Sequence, residues 1–192
     1  MNYVEYGKEN KYDDDIFFQK YSQMSRSQQG LAGAGEWETL RKLLPDFKDK
    51  RVLDLGCGYG WHCIYAMEHG ASSVVGVDIS HKMLEVAKEK THFPQVEYKC
   101  CAIEDVEFPE ESFDVILSSL AFHYVADYEI LVKKIYRILK SGGKLVFTVE
   151  HPVFTAYGTQ DWHYNEKGEI LHFPVDNYYY EGKRTAVFLG EK

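Results

Sequence analysis

Three glycines stand at alternate positions, Gly56, Gly58 and Gly60, directly behind the apolar run 52–55. A loop of this kind between a strand and a helix lets the backbone approach a nucleotide closely. The dinucleotide fingerprint Gly-x-Gly-x-x-Gly places its last glycine one position later, where this chain has Trp61. An indole at that position obstructs the close packing of helix on strand. The spacing therefore predicts a nucleotide loop and disfavours one alternative, an NAD-dependent oxidoreductase.

A carboxylate, Asp78, ends the next apolar run, "VVGVD". At the end of a second parallel strand, a carboxylate can accept both ribose hydroxyls of a nucleotide. Taken alone, Asp78 is equally well explained as a loop cap, but beside the glycine loop we favour ribose binding. Ile79 and Met83 would then give the ribose and the adenine an apolar wall, and both side chains also fit a helix core.

The stretch from Asp54 to Gly60, "DLGCGYG", resembles the first motif of class I S-adenosylmethionine-dependent methyltransferases, acidic-x-Gly-x-Gly-x-Gly. The resemblance covers residues 52–150. This stretch is similar to the small-molecule group of these methyltransferases, which includes quinone-biosynthesis enzymes. It implies S-adenosylmethionine as cofactor, with Asp54 anchoring the loop and the cofactor's ammonium, directly or through water. Further cofactor-binding residues implied by the resemblance are Gly56, Cys57, Gly58, Gly60, Asp78, Ala102, Ile103 and Ser118.

Ala102 departs from the family pattern, because many relatives carry an acid there that binds the adenine amino group. The backbone of Ala102 and the side chain of Ile103 remain to hold the base. Ser118 ends the fourth strand, where the family's backbone meets the methionine part of the cofactor, and its side chain also suits a polar strand end.

The two ends of the chain interrupt the regular pattern of elements. The resemblance implies a single methyltransferase domain in which residues 1–45 form an N-terminal helical lid, 46–151 the cofactor-binding core and 152–192 an aromatic-rich segment. Tyr21 and Arg26 are the lid candidates, since an arginine can pair with the cofactor's carboxylate; the alternative is a solvent-facing cation. The aromatic segment either walls the acceptor pocket or packs as an ordinary loop.

Catalysis needs a base only if the methyl acceptor must lose a proton. The candidates are His123, after the fourth strand, and His151, after the fifth, although either can be structural. We expect the remaining histidines to be surface or packing residues: His62, His69, His81, His92, His163 and His172. No zinc-ligand spacing is present, so no metal is expected.

The periodicity predicts strands at 51–55, 73–78, 96–100, 113–118 and 144–150, alternating with helices at 36–44, 60–69, from 80, and from 127 to about 139. It also predicts a helix around 14–24, a glycine-rich hinge at 30–35, and a glycine pair, Gly142 and Gly143, that ends the last helix. This alternation is typical of an α/β fold, a doubly wound, mostly parallel sheet of the Rossmann-like methyltransferase type. Few residues follow Glu150, so we expect the usual C-terminal helix and closing strands to be missing. An apolar sheet edge would then favour a homodimer.

The net charge of −8 argues against nucleic acid and anionic lipid as partners. No apolar run is long enough for a membrane span, and the N-terminus lacks signal-peptide order. Four cysteines without a Cys-x-x-Cys pair suit a reducing cytoplasm. No Asn/Asp-Pro-Pro-aromatic motif and no Pro-Cys nucleophile are present, which favours a small-molecule methyl acceptor. The alternative is a non-catalytic protein that binds S-adenosylmethionine or S-adenosylhomocysteine.

Overall fold

The structure, a computed structural model, describes residues 10–156, 159–180 and 188–190. Its contacts divide the chain into two compact units, residues 1–149 and 150–192. The first unit is built on a parallel sheet of five strands in the order β3-β2-β1-β4-β5. The strands are β1 (Arg51–Leu55), β2 (Ser73–Asp78), β3 (Val96–Cys100), β4 (Phe113–Ser119) and β5 (Leu139–Thr148).

Helices connect most of these strands, as the alternating pattern predicts, and β3 is joined to β4 through a 3-10 turn, Ile103–Asp105. In the first unit the helices are α1 (Asp15–Ser22), α2 (Ser25–Gln29), α3 (Trp37–Leu43), α4 (Trp61–Glu68), α5 (His81–Lys90) and α6 (Tyr128–Ile138). Two helices begin near the predicted positions with a side-chain cap: the Ser80 hydroxyl accepts from the Met83 amide at the start of α5, and Asp127 accepts from the Ile130 amide at the start of α6. The α/β fold is therefore confirmed.

The core lies on both faces of the sheet, because consecutive strand residues point to opposite sides. On one face, Leu53, Val75 and Ile116 pack with Leu131 and Ile135 of α6. On the other face, strand residues pack with helices α4 and α5 through the buried side chains Val52, Val74, Val115, Cys63, Ala66 and Leu84. The sheet therefore lies between two layers of helices, and the carboxyl ends of its parallel strands all lie at one edge.

Two predicted boundaries are wrong. The helix predicted around 14–24 is divided into α1, capped by Asp14, and α2, and the glycine-rich stretch begins with a 3-10 turn, Gly30–Gly33. The pair Gly142 and Gly143 does not end α6, which stops at Ile138. The pair instead lies inside β5, where the register against β4 shifts between the pairs Phe113–Leu139 and Val115–Lys144. The glycines fit this bulge because Gly142 has φ +76°.

The second unit contains a two-stranded antiparallel ribbon, β6 (His163–Tyr164) and β7 (Ile170–His172). The side chain of Asn165 accepts from the amides of Lys167 and Glu169 and so shapes the turn between them. A 3-10 turn, Pro152–Thr155, precedes the ribbon. Aromatic residues of this unit pack on each other in edge-to-face pairs: Phe154 with Phe173, and Trp162 with Phe173.

Within the described residues, no helix combines the length and the apolar character that crossing a membrane requires.

Candidate functional site

The site lies where the order of strands reverses, between β1 and β4. In open parallel sheets this is the crevice in which ligands bind, outside the carboxyl ends of the strands. The loops that follow the two strands touch there: a Cβ added at Gly56 would lie 2.3 Å from the Cβ of Ala121. Only glycine at position 56 allows this approach.

The glycine loop has a backbone that other residues rarely adopt. Gly56, Gly58 and Gly60 have φ values of +77°, +52° and +74°. The amides of Gly56 and Cys57 both donate to the carbonyl of Val77, at 2.8 and 2.9 Å, which ties the loop to the end of β2. A Cβ at Gly60 would lie 2.2 Å from the Tyr98 hydroxyl oxygen. The loop therefore turns sharply into α4 and presents backbone to the crevice.

Asp78 stands at the end of β2, facing this loop. Its Oδ2 accepts from the Gly58 amide at 2.8 Å, and its Oδ1 accepts from the Ser80 amide at 2.9 Å. Burial raises the pKa of Asp78, and the hydrogen bonds from Ser80 and Gly58 oppose that rise. The carboxylate has about four lone-pair sites and these amides use only part of them, so the group can still accept from a ligand hydroxyl.

Asp54, the acid of the motif, is buried beneath the loop, with 1% of its surface exposed. Cys63 donates its thiol to Oδ2 at 3.5 Å, whereas Oδ1 is buried without a hydrogen-bond partner among the described residues. Burial raises the pKa of Asp54 to about 7. A buried carboxylate oxygen without a donor is costly unless a donor reaches it from the ligand or from water.

One pocket opens beside the loop and brings together residues from α1, α2, the start of α3, the loop after β1, α4 and the end of β4. It contains five predicted residues, Tyr21, Arg26, Gly56, Cys57 and Gly58. Its lining also includes Ser27, Gly30, Leu31, Ala34, Glu36, Tyr59, Trp61, His62 and Ser119.

Arg26 and Glu36 form an ion pair inside this pocket, with 23% and 20% of their side chains exposed. The same Glu36 oxygen, Oε1, accepts from the Ser119 hydroxyl at 3.1 Å. Burial opposes ionisation of Glu36, but its hydrogen bonds and the charge of Arg26 outweigh burial and lower its pKa. The predicted lid cation thus has a carboxylate partner in the same pocket.

Ser119 is joined in turn to β5. Its Oγ lies 3.1 Å from the Thr148 Oγ1, which also accepts from the Leu120 amide at 3.1 Å. Leu120 has φ +53°, in the left-handed region that a branched side chain rarely adopts. These hydrogen bonds hold the strained residue in place and so position the loop that touches Gly56.

His62 lines the same pocket, although the spacing of histidines predicted only a surface or packing role. Burial lowers the pKa of His62 to about 4, so the imidazole is neutral at physiological pH. Its ring centroid lies 5.7 Å from that of Trp37. The sequence indicated no site role for Glu36, His62 or Trp61, because Glu36 reaches the pocket only through tertiary packing and the only signal for Trp61 and His62 is their position at the start of α4, directly after the glycine loop.

The other residues predicted to bind the adenosine part lie around the end of β2 and the loop after β3. Ile103 Cδ1 lies 3.5 Å from the Cβ position of Gly56, and Met83 and Ala102 are buried. The amide of Cys101 donates to the Asp78 carbonyl at 3.0 Å, which brings the segment before Ala102 against the end of β2. Ile79, next to Asp78, is half-buried.

Ser118, His123 and His151 lie outside the pocket described above. The Ser118 hydroxyl is buried and donates to the Leu55 carbonyl at 2.8 Å, so its neighbour Ser119 supplies the pocket hydroxyl. His123 is exposed on the 3-10 turn Phe122–Tyr124. His151 belongs to the second unit, where its Nδ1 accepts from the Val153 amide at 3.2 Å.

The N-terminal segment contacts the first turn of α5. Asp13 accepts from the Ser80 hydroxyl at 2.6 Å and from the Lys82 amide at 3.1 Å, and Asp15 pairs with the Lys82 ammonium. The Tyr12 and Tyr124 hydroxyls lie 3.3 Å apart. Residues 10–13 therefore lie next to the residues that hold Asp78.

The donor set fits S-adenosylmethionine: a bare-backbone loop, a carboxylate with free lone pairs at the end of β2, an arginine in the pocket and an orphaned buried oxygen on Asp54. The described residues offer no comparable site for a metal ion. Within ranges 10–156, 159–180 and 188–190, no cluster of three or more His, Cys, Asp or Glu side chains could hold an ion.

Comparisons with known proteins agree with this geometry. A family model described as a methyltransferase domain matches residues 53–147. A structure of a candidate S-adenosylmethionine-dependent methyltransferase from Listeria monocytogenes is 57% identical, with a TM-score of 0.74 over 82% of this chain and 74% of that one. One from Mesorhizobium loti, an S-adenosylmethionine-dependent methyltransferase, is 41% identical, with a TM-score of 0.72 over 80% and 69%. A ubiquinone biosynthesis O-methyltransferase from Coxiella burnetii is 36% identical over 57% of this chain, which spans 47% of that enzyme.

Proposed function

The chain belongs to the S-adenosylmethionine-dependent methyltransferases, and on that premise we propose that it methylates a small-molecule acceptor. The observation that carries the proposal is the pocket at the strand-order reversal, where the glycine loop meets the ends of β2 and β4. The likeness to a ubiquinone biosynthesis O-methyltransferase supports a small-molecule acceptor.

S-adenosylmethionine supplies a methyl group that its sulfonium makes electrophilic, so the protein's part is binding, orientation and exclusion of water. Asp78 accepts the ribose hydroxyls. Gly56, Cys57, Gly58 and Gly60 present backbone to the cofactor, and Asp54 supports this loop from beneath and acts on the cofactor's ammonium through water. Ile79, Met83, Ala102 and Ile103 enclose the adenine. Backbone at Ser118 meets the methionine part.

The N-terminal residues Tyr21 and Arg26 lie in the pocket, which supports a lid role for residues 10–45, with Arg26 on the cofactor's carboxylate. Burial raises the pKa of Tyr21, and Arg26 opposes that rise, so the tyrosine hydroxyl stays protonated and can donate. This lid would exclude water from the sulfonium.

His123 and His151 remain proposals for a base that removes the acceptor's proton. His123 lies in the 3-10 turn after β4, and His151 follows β5. Replacing each by glutamine and measuring the pH dependence of turnover distinguishes a base from a structural histidine, since only loss of a base removes the acidic limb of the profile.

The remaining features of the proposal concern partners and location. The net charge of −8 supports an acceptor other than nucleic acid. β5 is one of the two outer strands of the described sheet. A mostly apolar groove there, which supports a homodimer, is lined by Leu43, Pro45, Lys144, Leu145, Val146 and Phe147. None of the four cysteines forms a disulfide, which supports a cytoplasmic location. Sedimentation at several protein concentrations tests the dimer.

The proposed activity is tested by incubating the protein with methyl-labelled S-adenosylmethionine and small phenols, catechols, amines and carboxylic acids. We expect S-adenosylhomocysteine to form with at least one acceptor class, and Asp78→Ala to abolish its formation. Binding of S-adenosylmethionine without turnover on any acceptor would contradict the proposal and favour a non-catalytic binding protein.

A further inference from the structure

An ion pair between Arg26 and Glu36 lies in the pocket that is proposed to take the cofactor. Both side chains line the pocket, one negative and one positive, beside Gly56 and Gly58. The amino-acid end of S-adenosylmethionine is a zwitterion with one carboxylate and one ammonium. A single arginine would attract the carboxylate and repel the ammonium, whereas an arginine with a carboxylate beside it complements both groups.

The pair can bind a zwitterion without breaking. A guanidinium has five N–H donors and a carboxylate has about four lone-pair sites. The bond from Arg26 Nη2 to Glu36 Oε1, together with the bond from Ser119, uses only part of this capacity. Because Ser119 fixes Glu36 from the end of β4, the carboxylate is held toward the crevice rather than toward solvent.

A second observation points to a ligand carboxylate at the same place. The indole nitrogen of Trp61 is buried and has no hydrogen-bond partner in the described part of the chain. Trp61 lines the pocket together with Arg26, and its ring packs against Gly30, whose Cβ position lies 3.2 Å from the indole. A buried N–H donor without an acceptor costs free energy, and a ligand carboxylate removes that cost.

Asp54 does not compete for direct contact with the ammonium. It lies beneath the loop, with 1% of its surface exposed, and it is absent from the lining of this pocket. Glu36 is ionised, because its hydrogen bonds and Arg26 lower its pKa, so it carries the negative charge that an ammonium needs.

We infer that Glu36 is a binding residue for the cofactor's ammonium, paired with Arg26 and the Trp61 indole N–H on its carboxylate, and that this set makes the site specific for ligands with an intact amino-acid end. The inference rests on the proposed function, since it assumes that the cofactor binds at this loop. It adds Glu36 and Trp61 to the residues that the glycine motif implies.

The test compares three probes by calorimetry: S-adenosylhomocysteine, its decarboxylated form, which keeps the ammonium, and 5′-methylthioadenosine, which lacks the amino-acid end. Glu36→Gln is expected to weaken binding of the first two by about tenfold or more and to change binding of 5′-methylthioadenosine by less than about twofold. Arg26→Gln and Trp61→Phe are expected to weaken only S-adenosylhomocysteine, because only that probe carries the carboxylate.

The matched control is Glu38→Gln, an exposed carboxylate two residues along that pairs with Arg41 on the outside of α3. It should leave all three affinities unchanged. The inference is overturned if Glu36→Gln weakens all three probes equally, which would indicate a structural role in the lid. It is also overturned if the variant leaves S-adenosylhomocysteine unaffected, or tightens it because Glu36 competes for Arg26. If the wild-type protein binds none of the probes, the proposed function itself fails.

Discussion

The carboxylate of Asp78 accepts a hydrogen bond from the amide of Gly58 at 2.8 Å, across the gap between the end of β2 and the loop after β1. The bond fixes the middle of the glycine loop to the residue proposed to bind the ribose. The other carboxylate oxygen of Asp78 accepts from the amide of Ser80, the residue that caps α5. One side chain therefore sets the position of two elements that border the crevice.

Replacing Asp78 by alanine should weaken S-adenosylhomocysteine about tenfold to a hundredfold, because hydrogen bonds to a charged group contribute about 1.5–3 kcal/mol. Calorimetry measures the affinity. Asp114→Ala is the matched control: Asp114 also accepts a backbone amide, from Arg51 at 2.9 Å, but at the opposite end of the sheet. That variant should lower stability without changing affinity; equal losses of affinity in both variants would contradict a ribose role for Asp78.

Alanine at Gly56 should destabilise the fold by about 2–4 kcal/mol, since it combines a left-handed φ with a Cβ 2.3 Å from Ala121. Gly58 also has a positive φ, but no atom lies within 4 Å of its Cβ position. Gly58→Ala is therefore expected to destabilise the fold by only about 1 kcal/mol. Urea denaturation gives both free energies of unfolding. Equal losses would mean that the contact with Ala121 is unimportant.

Asp54→Asn should remove a pH dependence of stability. The folded pKa of Asp54 is about 7, above its ordinary value of 3.8, so the folded state retains a proton that the unfolded state has lost between these values. Stability therefore falls as pH rises from about 4 to 7, by about 1.4 kcal/mol per unit of pKa difference at most. Relative to the native protein, the asparagine variant should gain stability over this window. Parallel stability profiles from urea denaturation at pH 5 and 8 would contradict the assignment.

Asp13→Ala should release the N-terminal segment from α5. Burial opposes ionisation of Asp13, but hydrogen bonds from Ser80, Lys82, Asn10 and His81 outweigh it and lower the pKa. Its stabilisation is therefore present above the ordinary pKa and is lost as pH falls through the lowered one. Amide exchange at Lys82 should accelerate in this variant at neutral pH.

Asp14→Ala provides the comparison for that experiment, because Asp14 caps α1 through the amides of Ile16 and Phe17 rather than contacting α5. It should accelerate exchange at those two amides and leave Lys82 protected. Unchanged exchange at Lys82 in the Asp13 variant would show that the segment is held by other contacts.

Local signals in the sequence predict much of this fold. β1 and β2 have the predicted bounds because each apolar run ends at a polar or turn residue, Gly56 after β1 and Asp78 in β2. The glycine spacing identified Asp54 as a candidate, and the end of the next apolar run identified Asp78. The beginning of β5 was not predictable, since Gly142 and Gly143 signal a turn locally, while pairing with β4 extends the strand across them.

The rest of the site depends on tertiary packing. Glu36 and Arg26 are ten residues apart on different helical segments, and no periodicity brings them to Ser119. The choice between Ser118 and Ser119 depends on which face of β4 is inward at its last residue. Ser118 points into the protein toward Leu55, and the strand continues one residue further to present Ser119.

The structure of the protein with S-adenosylhomocysteine tests the central claim most directly. We predict that the ribose hydroxyls lie about 2.6–3.2 Å from the carboxylate oxygens of Asp78, with the amino-acid end in the pocket of Arg26 and Glu36. An adenosine bound away from Asp78, or a ribose without contact to its carboxylate, would contradict the account.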